Sequence, residues 1–327
     1  MNKPYQKYTF KNGLRLVTVP MANTKAVTVL VLVGTGSKYE TKEINGISHF
    51  LEHMFFKGTK KRQNTLAIAE TLDRVGGNYN AFTDTEMTGY WAKVDNKHIN
   101  LALDWVSDIF LNSKLDPKEI EREKGVIIEE INMYLDDPRN YISEVWGKLL
   151  YGDQPAGWSI AGEKKIIGQF KRNHFVNYFN SHYSSRNTVI VVAGKINKNK
   201  NLKLKIENYF KKINVGKSNL RRNVVEKQNK PKLMIHYKKT DQTHICLGVR
   251  SFSIFHSDKF VFDVLSTILG GGMSSRMWIS VREREGLGYY IWTSGYTDLD
   301  TGYLVTQAGI NNEKIDKAIS IILDEYK

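Results

Sequence analysis

Cysteine is nearly absent: Cys246 is the only one in 327 residues. That scarcity excludes an internal disulfide framework and a cysteine-based metal site. Cys246 lies in an apolar, strand-like stretch at 244–249 and reads as a buried thiol. Long apolar runs are missing too, and none approaches the length that spans a bilayer. Residues 1–10 are polar and aromatic, without the apolar centre of a secretion signal. A soluble, cytoplasmic protein with no membrane partner is therefore expected. Acidic residues are in deficit, 34 Asp and Glu against 48 Lys and Arg, giving a formal charge of +14. A nucleic-acid binder gathers such charge into a patch with aromatics between. Here it is spread along the chain, densest over 195–232, where Leu202, Ile206, Tyr209, Phe210 and Ile213 recur at helical spacing. Those lysines read as the wet face of an amphipathic helix. No nucleic-acid partner is expected, although the charge can steer acidic peptides at long range. Gly270-Gly271-Gly272 lacks the lysine and Ser/Thr of a phosphate loop and reads as a flexible turn.

What is present is enough apolar matter for real cores: 41% of residues are hydrophobic and 11% aromatic. In the first half, 13–20 and 26–35 read as strands, the second valine-rich and buried on both faces. Residues 45–57 and 63–75 read as helices, the latter broken by Gly76-Gly77. Residues 78–84 and 87–94 then form a strand pair, followed by a helix over 97–111. Asp116-Pro117 supplies an N-cap and a first-turn proline for a helix running to about Leu135 and stopping before Asp137-Pro138. A helix at 171–182, a strand at 187–193 and the basic helix follow. The stretch 214–231 is polar and aperiodic, the best linker candidate. The second half reopens with strands at 232–238 and 244–250, helices at 258–269 and 275–285, strands at 289–296 and 302–308, and a helix over 312–327. The order repeats that of the first half, as an internal duplication would. The expected fold class is α+β: two homologous α/β-roll half-units, each an antiparallel sheet with helices packed on one face, the second incomplete. The expected domains are 1–222, a linker at 223–231, and 232–327.

His49-Phe50-Leu51-Glu52-His53 places two histidines at i and i+4, a turn apart on one helix face, where both rings can meet one metal. At about 100° per residue, Ile47, Phe50, Leu51, Met54 and Phe55 form the apolar stripe opposite. Alone, so short a pattern is matched equally well by a surface helix or by core histidines paired with a carboxylate. A catalytic zinc wants a third protein ligand and an open position for water. Glu123 and Glu130 lie seven residues apart on the helix that opens at Asp116. Both project from one flank of its Ile120, Ile127, Ile131, Tyr134 stripe, whereas Glu129 points into water. This selects Glu130 as ligand and Glu123 as its support behind the ligands. By themselves these glutamates read better as a solvated face; together with the histidines, the ligand reading is favoured.

The segment His49 to Met54 with Phe56-Lys57-Gly58-Thr59 resembles the family of insulin-degrading enzyme, pitrilysin and mitochondrial processing peptidase, in its small bacterial form. Glu123 and Glu130 fall where that pattern wants them. The likeness continues through Gly76-Gly77-Asn78-Tyr79-Asn80-Ala81-Phe82-Thr83, through LGGGMSSR at 269–276, and through Arg282 to Gly286-Leu287-Gly288-Tyr289. It implies one Zn2+ per chain on His49, His53 and Glu130, with Glu52 as general base. It implies an edge strand, Asn80, Ala81, Phe82 and Thr83, that receives substrate by strand addition. It further implies that Arg282 and Tyr289 reach the substrate from the second domain. Without it, Tyr289 would read as packing and Arg282 as a surface ion pair. The implied activity is endopeptidase cleavage of peptides or unfolded polypeptides inside a two-domain chamber, as a homodimer or a heterodimer with a related subunit. A non-catalytic, substrate-presenting subunit of the same fold is the alternative, against which the intact His49, Glu52, His53 and Glu130 set argues.

Overall fold

The computed structural model describes residues 4–196, 201–216 and 221–327. Parts of the basic 195–232 stretch and of the 214–231 linker candidate, namely 197–200 and 217–220, lie outside these. The elements in order are β1 (Gln6–Thr9), β2 (Arg15–Pro20), β3 (Ala26–Val33), α1 (Ile47–Met54), α2 (Thr65–Asp73), β4 (Asn78–Thr83), β5 (Thr88–Asp95), α3 (Ile99–Asn112), α4 (Pro117–Asp136), α5 (Pro138–Tyr151), the one-turn α6 (Lys164–Ile167), α7 (Arg172–His182), β6 (Thr188–Gly194), α8 (Leu202–Tyr209), β7 (Gln242–Ser251), α9 (Lys259–Gly270), a π-helix (Trp278–Arg284), β8 (Gly288–Thr297), β9 (Gly302–Asn311) and α10 (Ile315–Tyr326). The chain divides into two compact units, Met1–Ile131 with Ser159–Arg222, and Asn132–Trp158 with Asn223–Lys327.

In the first unit six strands lie in the order β1-β2-β6-β3-β5-β4. β3 alternates strictly: Val27, Val29, Val31 and Val33 are fully buried, while the residues between them are half-buried. The valine run was expected to be buried on both faces; one face only is sealed. That face meets an aromatic core in which Phe55 stacks on Tyr90 at 4.8 Å and packs edge-on to Tyr183 at 5.7 Å. β4 closes the sheet at one end, paired only with β5.

In the second unit three antiparallel strands lie in the order β7-β9-β8. The first sheet contains the same arrangement in β3-β5-β4, and the intervening helices recur in the same sequence order. Its core gathers Phe262, Leu269, Met277, Ile291, Ala308 and Ile322.

Several expectations are corrected. Residues 232–238 form no strand and are exposed. In the first unit β2 is held between β1 and β6, and among the described residues no strand flanks 232–238, so no ladder forms there. The 275–285 helix is wound as a π-helix over Trp278–Arg284. β1 lies outside the expectations from sequence, and so does α5, which uses the same Asp-Pro start as α4: Asp137 caps it by accepting from the Arg139 N–H at 2.9 Å, and Pro138 fills the first turn. Trp146, Leu150 and Tyr151 of α5 pack on Val305 of β9. The chain thus leaves the first unit within α4 and returns at Ser159, which a continuous 1–222 domain does not express. The linker 223–231 is irregular but pinned to the second unit, with the Val224 N–H donating to Asp300 at 2.9 Å and Arg250 pairing with Glu226 at 2.9 Å. Cys246 is half-buried rather than buried, in the same cluster as Trp146, and burial pushes its thiol up to about 12.

Candidate metal centre and active site

The site in the first unit is carried by a short helix whose start is fixed from outside. α1 has eight residues and begins at Gly46, which is left-handed at φ 95° and has no side chain to cap it. A Cβ there would sit 2.7 Å from the Ala161 carbonyl oxygen, so glycine is required on two counts. Two of the orphan N–H groups at this start are taken up by Glu40. Its Oε2 accepts from Gly46 N at 2.7 Å and Asn45 Nδ2 at 3.0 Å, and its Oε1 accepts from Ser48 N at 2.8 Å. Burial raises the Glu40 carboxyl to about 7 despite these hydrogen bonds. The Ser48 hydroxyl, in turn, bonds the Tyr178 hydroxyl at 2.7 Å, which meets Thr35 Oγ1 at 2.8 Å.

Once started, α1 buries Ile47, Phe50, Leu51 and Met54 and turns His49, Glu52 and His53 to the other side. α4 presents Glu130 half-buried and Glu123 buried, and leaves Glu129 exposed. His49 Nε2 lies 3.6 Å from Glu130 Oε1, and His53 Nε2 lies 3.5 Å from Glu130 Oε2. The three candidate ligand atoms all fall within 4.8 Å of one another. A tetrahedral zinc with bonds near 2.0–2.1 Å sets its ligand atoms about 3.3 Å apart, so the cluster fits that ion with small adjustments. Burial, then the neighbouring His53, lowers His49 to about 4, which keeps its ring neutral and able to donate a lone pair. His49 Nδ1 is buried without a hydrogen-bond partner among the described residues.

His53 is oriented from behind. Its Nδ1 lies 2.9 Å from Glu123 Oε1, and Lys57 Nζ lies 2.6 Å from the other oxygen of the same carboxylate. Burial pushes Glu123 up, but the hydrogen bonds and charges of His53 and Lys57 together outweigh it and hold the carboxyl below its usual range. An ionised carboxylate can only accept, so His53 Nδ1 donates to Glu123, and its Nε2 is the nitrogen turned towards Glu130. The sequence alone does not assign Lys57 this role, because its partner Glu123 lies on α4, far along the chain.

Glu52 is mostly buried, and desolvation raises its pKa while a hydrogen bond from Thr83 opposes the rise. Thr83 Oγ1 donates to Glu52 Oε2 at 2.6 Å. Asn80, Ala81, Phe82 and Thr83 lie on β4, the free edge of the first sheet. Asn80 and Phe82 are exposed while Ala81 and Thr83 turn to the half-buried side. Phe82 is opposite Gly89 on β5, where a Cβ would lie 2.4 Å from its ring.

Arg282 and Tyr289 belong to the second unit, where they lie together. The Arg282 guanidinium sits 3.9 Å from the centroid of Trp278 and 5.3 Å from that of Tyr289. Tyr289 is 77% exposed and occupies an irregularity of the β8–β9 register. Neither residue is buried packing.

An α+β chain of two topologically related units, one with a half-buried two-histidine, one-glutamate cluster, defines a class of metallopeptidase fold. Residues 15–164 match the family described as insulinase, peptidase family M16, and residues 169–327 match the peptidase M16 inactive domain. The chain belongs to peptidase family M16. It is 37% identical over 313 residues to YmxG of Bacillus subtilis, described as an uncharacterized zinc protease, covering 95% of this chain and 75% of that protein. A Streptomyces coelicolor protein with the same description is 31% identical over 328 residues, covering 98% and 71%. Among solved structures, a protease from Helicobacter pylori superimposes with a TM-score of 0.89 at 24% identity, over 98% of this chain and 79% of that one. A peptidase M16 inactive domain structure from Pseudomonas fluorescens gives 0.90 at 17% identity, over 98% and 78%. No helix among the described residues is long and apolar enough to cross a membrane.

Proposed function

We propose that the chain is a zinc-dependent endopeptidase that cleaves peptides or unfolded polypeptides, with Glu52 as general base. The observation that carries this reading is the convergence of His49 Nε2 and His53 Nε2 on Glu130, with the Glu52 carboxylate on the same helix. His49, His53 and Glu130 would hold the ion, which supplies polarisation of a peptide carbonyl and a water of lowered pKa. Glu52 takes the proton of the attacking water on Oε1, the oxygen that Thr83 leaves free, and delivers it to the leaving amine. Its raised pKa suits both halves of that transfer. The β4 edge binds substrate as an added strand, so backbone hydrogen bonds supply affinity with little side-chain preference. Tyr289, exposed and flanked by the Arg282 cation, donates to the developing oxyanion, and Arg282 holds substrate backbone or carboxylate. A homodimer, or a heterodimer with a related subunit, is the proposed working form.

Glu52→Gln tests the assignment in the zinc-loaded protein with a quenched peptide library. Loss of a general base lowers kcat by about 10²–10⁴-fold, and zinc content should stay unchanged because Glu52 is not a ligand. Bound zinc with no cleavage by the wild type would favour the substrate-presenting subunit instead. Failure to take up zinc at all would overturn the ligand set.

A further inference from the structure

The hydroxyl of Thr83 is the one side-chain group of the edge strand that the structure ties to the site. β4 alternates exposed and half-buried residues, and its odd members Tyr79, Ala81 and Thr83 share the half-buried side. Thr83 is the last residue of the strand, and its hydroxyl donates to Glu52 Oε2 at 2.6 Å. Threonine is stiff at χ1 because two heavy atoms branch from its Cβ. Its backbone is fixed by pairing with Thr88 of β5. Glutamate, by contrast, has three rotatable side-chain bonds and more rotamers to lose on being fixed. Resting on the reading of Glu52 as the base, we infer that Thr83 is a positioning residue for Glu52. It pins one carboxylate oxygen and presents the other to the attacking water. The bond is charge-assisted and short, which makes it directional. It also joins the substrate edge to the base: a peptide paired along β4 stiffens the strand end that holds Glu52. Specific binding is thereby coupled to alignment of the proton acceptor, and the coupling acts on kcat rather than on KM.

The test compares Thr83→Val, which keeps shape and strand preference but loses the hydroxyl, with Thr83→Ser, which keeps the hydroxyl. Thr83→Val should lower kcat by about 10- to 100-fold, the scale of a small misplacement of a reacting group. KM and bound zinc should remain at wild-type levels, and Thr83→Ser should restore kcat. Crystal structures of the zinc-loaded proteins give a readout independent of turnover: a single Glu52 rotamer in the wild type and in Thr83→Ser, several in Thr83→Val. A Thr83→Val protein with raised KM and unchanged kcat, or one with a single ordered Glu52, overturns the positioning role. Equal cleavage by wild type and Glu52→Gln would instead remove the base itself.

Discussion

Glu123 shows how far the chemistry of a single side chain depends on what stands behind it. It touches His53 with one oxygen and Lys57 with the other, at 2.9 and 2.6 Å. Changing it to glutamine leaves Lys57 without its counter-ion and weakens the acceptor that fixes the His53 tautomer. Residues that orient a metal-ligating histidine typically contribute 10- to 100-fold in metal affinity. Glu123→Gln should therefore weaken zinc binding by about that factor, measured by competition with a chelator, while the apo protein keeps its circular dichroism. Unchanged affinity would reduce the Lys57–Glu123–His53 chain to a structural contact. Much of this site is legible residue by residue. The spacing of His49 and His53 and the flank shared by Glu123 and Glu130 follow from helical geometry alone. Lys57 and the hydroxyl of Thr83 do not, because their partners are 66 and 31 positions away in the chain, as the pairs Lys57–Glu123 and Thr83–Glu52 record.

At the scale of the element, α1 is an eight-residue helix that carries three of the site residues and cannot cap itself. Glu40 performs the capping from within the core, and the cost of that placement is written in its titration. Its carboxyl is raised from 4.5 unfolded to about 7 folded, chiefly by desolvation. The folded state therefore holds the Glu40 proton over a window where the unfolded chain has released it. This contribution to stability is fully present below pH 4.5 and is lost as pH rises through about 7. A displacement of that size corresponds to roughly 3 kcal/mol. Glu40→Gln does not titrate, so the stability of the wild type relative to it should fall by about that amount between these limits. Urea unfolding of the chelator-treated proteins at several pH values checks the slope, and a difference that is flat with pH would contradict the burial argument. The cap was not legible in the sequence, since Glu40 reaches α1 across a turn and through space. Other elements failed to show for related reasons. The residues at 232–238 have the composition of a strand, but a strand needs a neighbour. α5 has a clear Asp-Pro start, yet its placement with the second unit is decided by Trp146 and Tyr151 finding Val305. The winding of Trp278–Arg284 as a π-helix leaves no mark in apolar periodicity.

The molecule as a whole carries two related units of unequal extent and a charge of one sign. Alternation, Gly-Gly breaks and Asp-Pro starts made the duplication legible, and the strand orders β3-β5-β4 and β7-β9-β8 are its structural form. The candidate metal cluster found among the described residues lies in the first unit, and the Arg282–Tyr289 pair lies in the second. The charge acts on both. A formal +14 sets up a field that extends about 30 Å at 10 mM salt and about 10 Å at 0.1 M. Such a field changes encounter rates and leaves the chemical step alone. Three quenched peptides of one length, Glu-rich, neutral and Lys-rich, separate the two effects. Raising salt across that range should lower kcat/KM several-fold for the acidic peptide, leave the neutral one level and raise it for the basic one, with kcat constant throughout. A parallel response of all three peptides would assign the salt effect to the protein's own conformation, and an absent one would mean that the lysines serve only as the wetted face of the helices that carry them.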